Sequence, residues 1–377
     1  MDLSNIPNPC FVVEEEKLIA NAQKINSVAQ KSGVEIIFAF KATAMWKALQ
    51  SIKPYVKTAT ASSLNEALLC NELFENKAHT YCVAIDDNQI DQLLDLSSHI
   101  TFNSLNQFKK FKQKAINKGV SIGIRVNPQY SQAHTELYNP ASPNSRLGMT
   151  IDNFKNELPK EIEGLHFHVL CENNSFALEN TLKAFEQRFG KFLKQVKWIN
   201  MGGGHLISHK EYNTDHLISI LKKFREKYPH LQVYLEPGAA FAWQTGFLFA
   251  KVLDIVENNN VKTAILNVSF TAHMPDTLEM PYKPILRGAS NEKNNNLFNY
   301  RLGGVSCLAG DFMTEYSFEN ELQIGQNIIL EDMIHYTTVK TTMFNGVEHP
   351  SFGMITKNGE FKLLRKFDYN DYKNRMS

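Results

Sequence analysis

Four sets of residues in this chain have types and settings suited to chemistry, each at the end of a largely apolar run or directly after one. Lys41 closes Glu35-Ile36-Ile37-Phe38-Ala39-Phe40-Lys41. An amine in such a setting loses hydration, which depresses its pKa and frees it to attack a carbonyl as a Schiff-base lysine does. The alternative is a lysine that has just emerged into solvent. Gly202-Gly203-Gly204 allow the backbone to approach a bound group and aim N–H donors at it, as a phosphate nest does, or else form a turn chosen for its conformation only. Glu236, followed by Pro237-Gly238, suits a carboxylate that keeps a ring nitrogen protonated, or a salt-bridge partner on a rim. His166 and His168 lie on one face of a strand, where a metal would need a third ligand. No residue of convincing spacing supplies it, so no metal is expected, and His168 reads as a flat ring set against a planar cofactor.

The elements that must position these residues follow from periodicity. Short β-branched and aromatic runs, at 35–41, 56–61, 80–85, 100–104, 122–128, 162–169, 196–201 and 231–236, alternate with charge-speckled helical stretches. The helical stretches fall at 14–31, 64–73, 106–118, 177–194 and 215–228, most of them after a Ser, Asn or Asp. Eight strand-then-helix units predict an α/β fold, a (β/α)8 TIM barrel, whose site lies where the strands end. Lys41, His168, the glycine run and Glu236 all fall on that edge. After Trp243 the pattern changes to strands with turn residues between them, at 247–256, 263–270, 326–330 and 336–342. A C-terminal β domain, a sandwich or barrel, is expected. The boundaries read as 11–242 for the barrel, with 1–10 plus 243–377 forming the β domain.

Composition removes several functional classes. Lys plus Arg number 40 against 39 for Asp plus Glu, so no global field exists to hold nucleic acid or an anionic membrane. At 43% hydrophobic and 21% charged, the chain has the make-up of an ordinary globular protein. No apolar run is long enough to span a bilayer, and the N-terminus lacks a basic segment followed by an apolar one. The five cysteines, Cys10, Cys70, Cys82, Cys171 and Cys307, are odd in number and show no C-x-x-C spacing. Neither a disulfide framework nor a zinc ribbon is indicated, and the cytoplasm is the expected compartment.

A lysine imine, a phosphate nest, a carboxylate for a ring nitrogen and a stacking imidazole together describe a site for pyridoxal 5'-phosphate. At these motifs the chain resembles the fold-type III pyridoxal-phosphate decarboxylases, the group of the ornithine and diaminopimelate enzymes. Phe38-Ala39-Phe40-Lys41-Ala42 resembles the cofactor-lysine motif, Gly164-Leu165-His166-Phe167-His168 the stacking-histidine motif, and Met201-Gly202-Gly203-Gly204 with Glu236-Pro237-Gly238 the phosphate and pyridine motifs. Thr271-Ala272-His273-Met274-Pro275-Asp276, Glu279-Met280-Pro281-Tyr282 and the run Arg301 to Asp311 are similar to the branch that acts on carboxynorspermidine or carboxyspermidine. With Met333-Ile334-His335-Tyr336-Thr337 and Phe344-Asn345-Gly346, the resemblance covers essentially the whole chain.

The resemblance implies roles. Lys41 carries the cofactor, His168 stacks on its ring, Gly203, Gly204, Gly238 and Tyr336 contribute to its site, and Glu236 pairs with the pyridine nitrogen. Cys307 donates the proton after carbon dioxide leaves, entering from the partner subunit of a homodimer. The N-terminal strand, about residues 3–10, joins the β domain. A cationic tail on the substrate needs carboxylates, for which Asp276, Glu279 and Asp311 are candidates; Asp311 is also a candidate for an interface pair with Arg146. The implied reaction releases norspermidine or spermidine from its carboxylated precursor. Other readings are a diaminopimelate or ornithine decarboxylase, a racemase-like enzyme, a Schiff-base aldolase and a non-catalytic cofactor carrier. Ala239 stands where relatives carry a charged side chain, and Asn267 where an acidic one is expected. Ala59 replaces the Asp of ornithine decarboxylases.

Overall fold

The computed structural model describes residues 3–132, 136–155 and 157–377. The chain divides into two compact units, one of residues 20–41 and 52–241, the other of residues 3–19, 42–51 and 242–377.

The first unit is a parallel barrel. Its strands run in sequence order from Phe38–Ala39 through Ala59–Ala61, Ala78–Tyr81, Ser97–Phe102, Ser121–Arg125, Gly164–His166 and Trp198–Asn200 to Gln232–Leu235, which pairs with Glu35–Ile36. The two short segments around Ile37 are halves of one pass. Ile37 N–H donates to Leu235 O at 2.9 Å and Phe38 N–H to Thr58 O at 3.1 Å, so one pass joins both edges and the eight-stranded sheet closes. The helices between strands begin where a short polar side chain can satisfy free N–H groups. Ser63 caps Leu64–Phe74, Ser104 caps Leu105–Asn117, Asn174 caps Ser175–Phe189 and Asn213 caps Thr214–Lys227, each accepting from the N–H three residues on. Their apolar faces, such as Phe108 and Phe111 or Leu217, Leu221 and Phe224, are buried.

Register sets the site. Arg125, His166 and Asn200 are cross-strand neighbours, as are Asn200 and Tyr234. The strands therefore end in step, and the residues just beyond them, His168, Gly202 and Glu236, come out at one end of the barrel.

The second unit is a mixed sheet. The order is Ala289–Ser290, Phe312–Phe318, Phe298–Gly303, Val261–Leu266, Gly246–Asn258, Cys10–Glu14, Ser351–Ile355, Phe361–Arg365, with Asn327–Glu331 also paired to Gly246–Asn258. Cys10, Val12, Phe247, Phe249 and Ile329 form a buried cluster at its centre. The N-terminal strand lies at Cys10–Glu14, later than the expected 3–10. The run 336–342, expected as a strand, is a single tight turn, Thr337–Val339. Tyr336, with φ +54°, turns the chain before it, and Thr338 Oγ1 donates back to Ile334 O at 2.8 Å, so the β-branched residues do not extend. Strands Phe298–Gly303, Phe312–Phe318, Ser351–Ile355 and Phe361–Arg365, and the exposed helix Tyr369–Met376, were not apparent from the sequence.

Candidate functional site

In the barrel unit, Lys41, His168 and Glu236 form one chain of contacts. Lys41 Nζ lies 3.0 Å from His168 Nε2, and His168 Nδ1 lies 2.9 Å from Glu236 Oε1. The charges fix the tautomer: Lys41 donates to Nε2, and Nδ1–H donates to the carboxylate. Gly203 N–H also points at Nδ1, at 3.2 Å, but that nitrogen then carries a proton and has no lone pair to offer. The Gly203 N–H is left as a buried donor suited to an anion.

Glu236 is buried, with three groups around its carboxylate. Asn200 Nδ2 donates to Oε2 at 2.9 Å, and His166 Nε2 sits 3.3 Å from Oε1, a contact too long for a well-formed hydrogen bond. Burial alone would favour the protonated acid, but His166 and His168 outweigh it and hold the pKa well below the usual carboxylate range. His168 is held neutral, its pKa pushed down to about 3 by burial and then by Lys41. The Lys41 amine is enclosed by protein, which lowers its pKa; Glu236 opposes that shift and Arg125 reinforces it.

The glycine run is required by the crowding around it. Gly202 and Gly204 have φ of +76° and +83°, and a Cβ on Gly203 or Gly204 would come within 2.4 Å of Glu236 O or 2.2 Å of Leu170 O. Asn200 Oδ1 accepts from Gly202 N–H at 2.8 Å, so one side chain ties this turn to Glu236. Asn200 and Arg125 touch the candidate site, although their spacing in the sequence does not single them out. Arg125 Nη2 donates to His168 O at 3.0 Å, and its guanidinium lies over the Tyr81 ring. Each is a polar residue ending an apolar strand, the same signal that singled out Lys41. The fold also brings His166, His168 and Glu236 together, with one ligand atom of each within 4.8 Å of the others, so Glu236 is the third group that spacing did not reveal.

The donor set fits pyridoxal phosphate. An enclosed amine of lowered pKa, an ionised buried carboxylate, a flat neutral imidazole and an unused backbone donor in a glycine turn occupy one end of the barrel. Ala239, buried at the start of a short helix after Pro237-Gly238, adds no charge to it.

In the second unit, Tyr336 N–H donates to the carbonyl of Ala42, the residue after Lys41, at 2.5 Å. Asp276 and Glu279 lie on the short helix Pro275–Glu279, and Lys340 Nζ bridges them, donating to Asp276 Oδ1 at 2.8 Å and to Glu279 Oε2. Asp311 is buried and accepts from Thr271 N–H and Ser306 N–H, both at 3.1 Å, and from Ser306 Oγ at 2.6 Å. Its carboxylate thus binds groups of two segments, at Thr271 and Ser306. Cys307 is exposed, as are Leu308 and Phe344. Asn267 is engaged with Asn8 and the Lys251 N–H and bears on the sheet.

Comparison with known proteins agrees with this geometry. Residues 10–334 match the family described as pyridoxal-dependent decarboxylase, C-terminal sheet domain. The chain is 45% identical to carboxyaminopropylagmatine decarboxylase of Synechocystis, covering 99% of this chain and 96% of the relative. It is 44% identical to carboxynorspermidine/carboxyspermidine decarboxylase of Campylobacter jejuni, covering 99% of both. The crystal structure of carboxynorspermidine decarboxylase from Campylobacter jejuni, complexed with norspermidine, superposes with a TM-score of 0.91 at 43% identity, over 98% of this chain and 100% of that one. Diaminopimelate decarboxylase from Helicobacter pylori shares the fold at 16% identity, with a TM-score of 0.80.

Proposed function

The chain belongs to the pyridoxal-dependent decarboxylases, and we propose that within them it removes the α-carboxylate of a carboxylated polyamine, carboxynorspermidine or carboxyspermidine, to give norspermidine or spermidine. The observation that carries this is the 44% identity with the Campylobacter jejuni enzyme over 99% of both chains, together with the Lys41–His168–Glu236 chain at the barrel end. A second reading, carboxyaminopropylagmatine as substrate, is favoured by the equally similar Synechocystis relative. The two substrate classes share a carboxylated aminopropyl head and differ in the cation at the tail.

Pyridoxal phosphate, when bound, supplies the electron sink for the carbon that loses carbon dioxide. Lys41 supplies the amine that tethers it, and burial keeps that amine nucleophilic. His168 presents a neutral, flat ring. Glu236 stays ionised and would thereby hold a proton on the ring nitrogen, the electrostatic contribution from which most of the rate enhancement is expected. Gly203 and Gly204 would hold the phosphate, and Gly238 and Tyr336 are further candidates for the cofactor's site. Asp276 and Glu279, a pair that already accommodates one ammonium group in Lys340, are the carboxylates for the cationic tail. Each turnover consumes one proton at the α-carbon, and Cys307 Sγ delivers it.

We further propose a homodimer in which Cys307 of one protomer completes the site of the other. Its support is the exposure of Cys307 beside apolar Leu308 and Phe344, a surface suited to burial against a second copy. The free cysteines suit a reducing cytoplasm. Among the described residues no helix is long and apolar enough to cross a membrane.

The test is identification of the product by mass spectrometry after incubation with pyridoxal phosphate and each carboxylated polyamine. Loss of carbon dioxide from the substrate is expected. Unchanged substrate in every case would refute the reading.

A further inference from the structure

Asn345 lies outside the roles assigned so far, yet it touches the segment that carries the proposed proton donor. The loop from Gly304 to Asp311 is braced at its base. Gly304 N–H donates to Asp311 O at 2.7 Å, Asp311 N–H to Leu308 O at 3.0 Å, and the Asp311 carboxylate holds Ser306 and Thr271. A Cβ on Gly304 would fall 2.3 Å from Asp311 Oδ2, so any other residue there would push the carboxylate out of its place. Its tip is tied differently. Cys307 N–H donates to Asn345 Oδ1 at 2.9 Å, across 38 residues of sequence. Asn345 sits in an exposed single turn, Phe344–Gly346, with φ +58° and ψ +11°. Asparagine tolerates that left-handed backbone better than other residues that have a side chain, and its amide oxygen supplies the acceptor as well.

We infer that Asn345 is a positioning residue for the reaction, its side-chain oxygen setting the tip of the 304–311 loop and with it the place from which Cys307 Sγ gives up its proton. Two requirements meet at this position, a left-handed backbone and an acceptor of fixed reach. Glycine meets the first alone; aspartate meets both and adds a charge beside the thiol. The inference rests on Cys307 being the donor, so Cys307→Ala is part of the test.

The experiment compares the purified, cofactor-loaded wild type with Asn345→Gly, Asn345→Asp and Cys307→Ala, using turnover of carboxynorspermidine, thermal unfolding and the rate at which iodoacetamide alkylates Cys307 at one fixed pH. A misplaced acid loses part of the roughly 10²- to 10⁴-fold that general acid catalysis supplies. Asn345→Gly is therefore expected to lower kcat about tenfold or more with KM within about twofold and an unchanged unfolding temperature. Asn345→Asp should recover most of kcat while slowing alkylation severalfold, because a carboxylate beside a thiol disfavours the thiolate. Wild-type kcat in Asn345→Gly, with Cys307→Ala impaired, would overturn the positioning role and leave the donor in place. Equal loss of kcat and stability in both Asn345 variants, or alkylation unaffected by Asn345→Asp, would also overturn it. Full activity of Cys307→Ala would remove the donor assignment and the inference together.

Discussion

His168 and His166 approach the same oxygen of Glu236, one at 2.9 Å from Nδ1 and the other at 3.3 Å from Nε2. The carboxylate stays ionised inside the barrel, where His166, His168 and Asn200 surround it and outweigh the cost of burial. If that ionised state is what retains a proton on the cofactor's ring nitrogen, Glu236→Gln should keep the cofactor and lower kcat by about 10²- to 10³-fold, the scale seen when one preorganised electrostatic group is removed. Absorbance of the bound cofactor, measured beside kcat, checks that occupancy is unchanged.

His166 contributes without reaching the donor set of a direct partner. Replacing it by Phe keeps a ring but removes a polar contact to a buried charge, which should destabilise the protein by about 2 kcal/mol and lower kcat by about tenfold. Chemical denaturation and steady-state kinetics on the same preparation measure the two effects separately.

Lys41 and Cys307 lie on different units of the chain, and the proposed dimer makes each site composite. Lys41→Ala and Cys307→Ala homodimers should each be nearly inactive. After subunit exchange, half of the dimers are mixed and each mixed dimer has one intact site, so activity should rise to about a quarter of wild type. No recovery, although exchange is demonstrated by mass, would place both groups in a site formed by one protomer.

Acid should weaken the barrel. His205, buried directly after the glycine turn, has its pKa pushed down to about 4 by burial. The unfolded chain protonates this residue near pH 6.5 and the folded one only near pH 4, so between those values the unfolded state binds more protons and stability falls as pH falls, by up to about 1.4 kcal/mol per pH unit. Below about pH 4 both states are protonated and the contribution levels off. Unfolding temperatures from pH 7.5 to 4 should drop more steeply in the wild type than in His205→Gln.

Much of the site was legible before the fold. Lys41, His168, the glycine run and Glu236 announce themselves as reactive or permissive residues at the ends of apolar strands, and barrel topology sends strand ends to one place. Asn200 and Arg125 carry the same mark but were passed over, because an amide or guanidinium suggests no chemistry until its partner is known. The third group beside His166 and His168 was hidden for a related reason: Glu236 is 68 residues from His168 in sequence, and only closure of the barrel brings them together. Asp311, marked in the sequence by its charge alone, turns its oxygens to Ser306 and Thr271, partners that spacing does not reveal. In the sheet unit, strand patterns weaken where turns intervene. The β-branched Thr337-Thr338-Val339 reads as extended, but the left-handed Tyr336 before it commits the segment to a turn.

The measurement that bears most directly on the whole account is kcat/KM for carbon dioxide release by the cofactor-loaded protein across carboxynorspermidine, carboxyspermidine, carboxyaminopropylagmatine, diaminopimelate and ornithine. A carboxylated polyamine should exceed both short amino acids by about 10²-fold or more, because only a cationic tail gains hydrogen bonds from the site's carboxylates. Preference for diaminopimelate or ornithine, or no release from any of them, would contradict it.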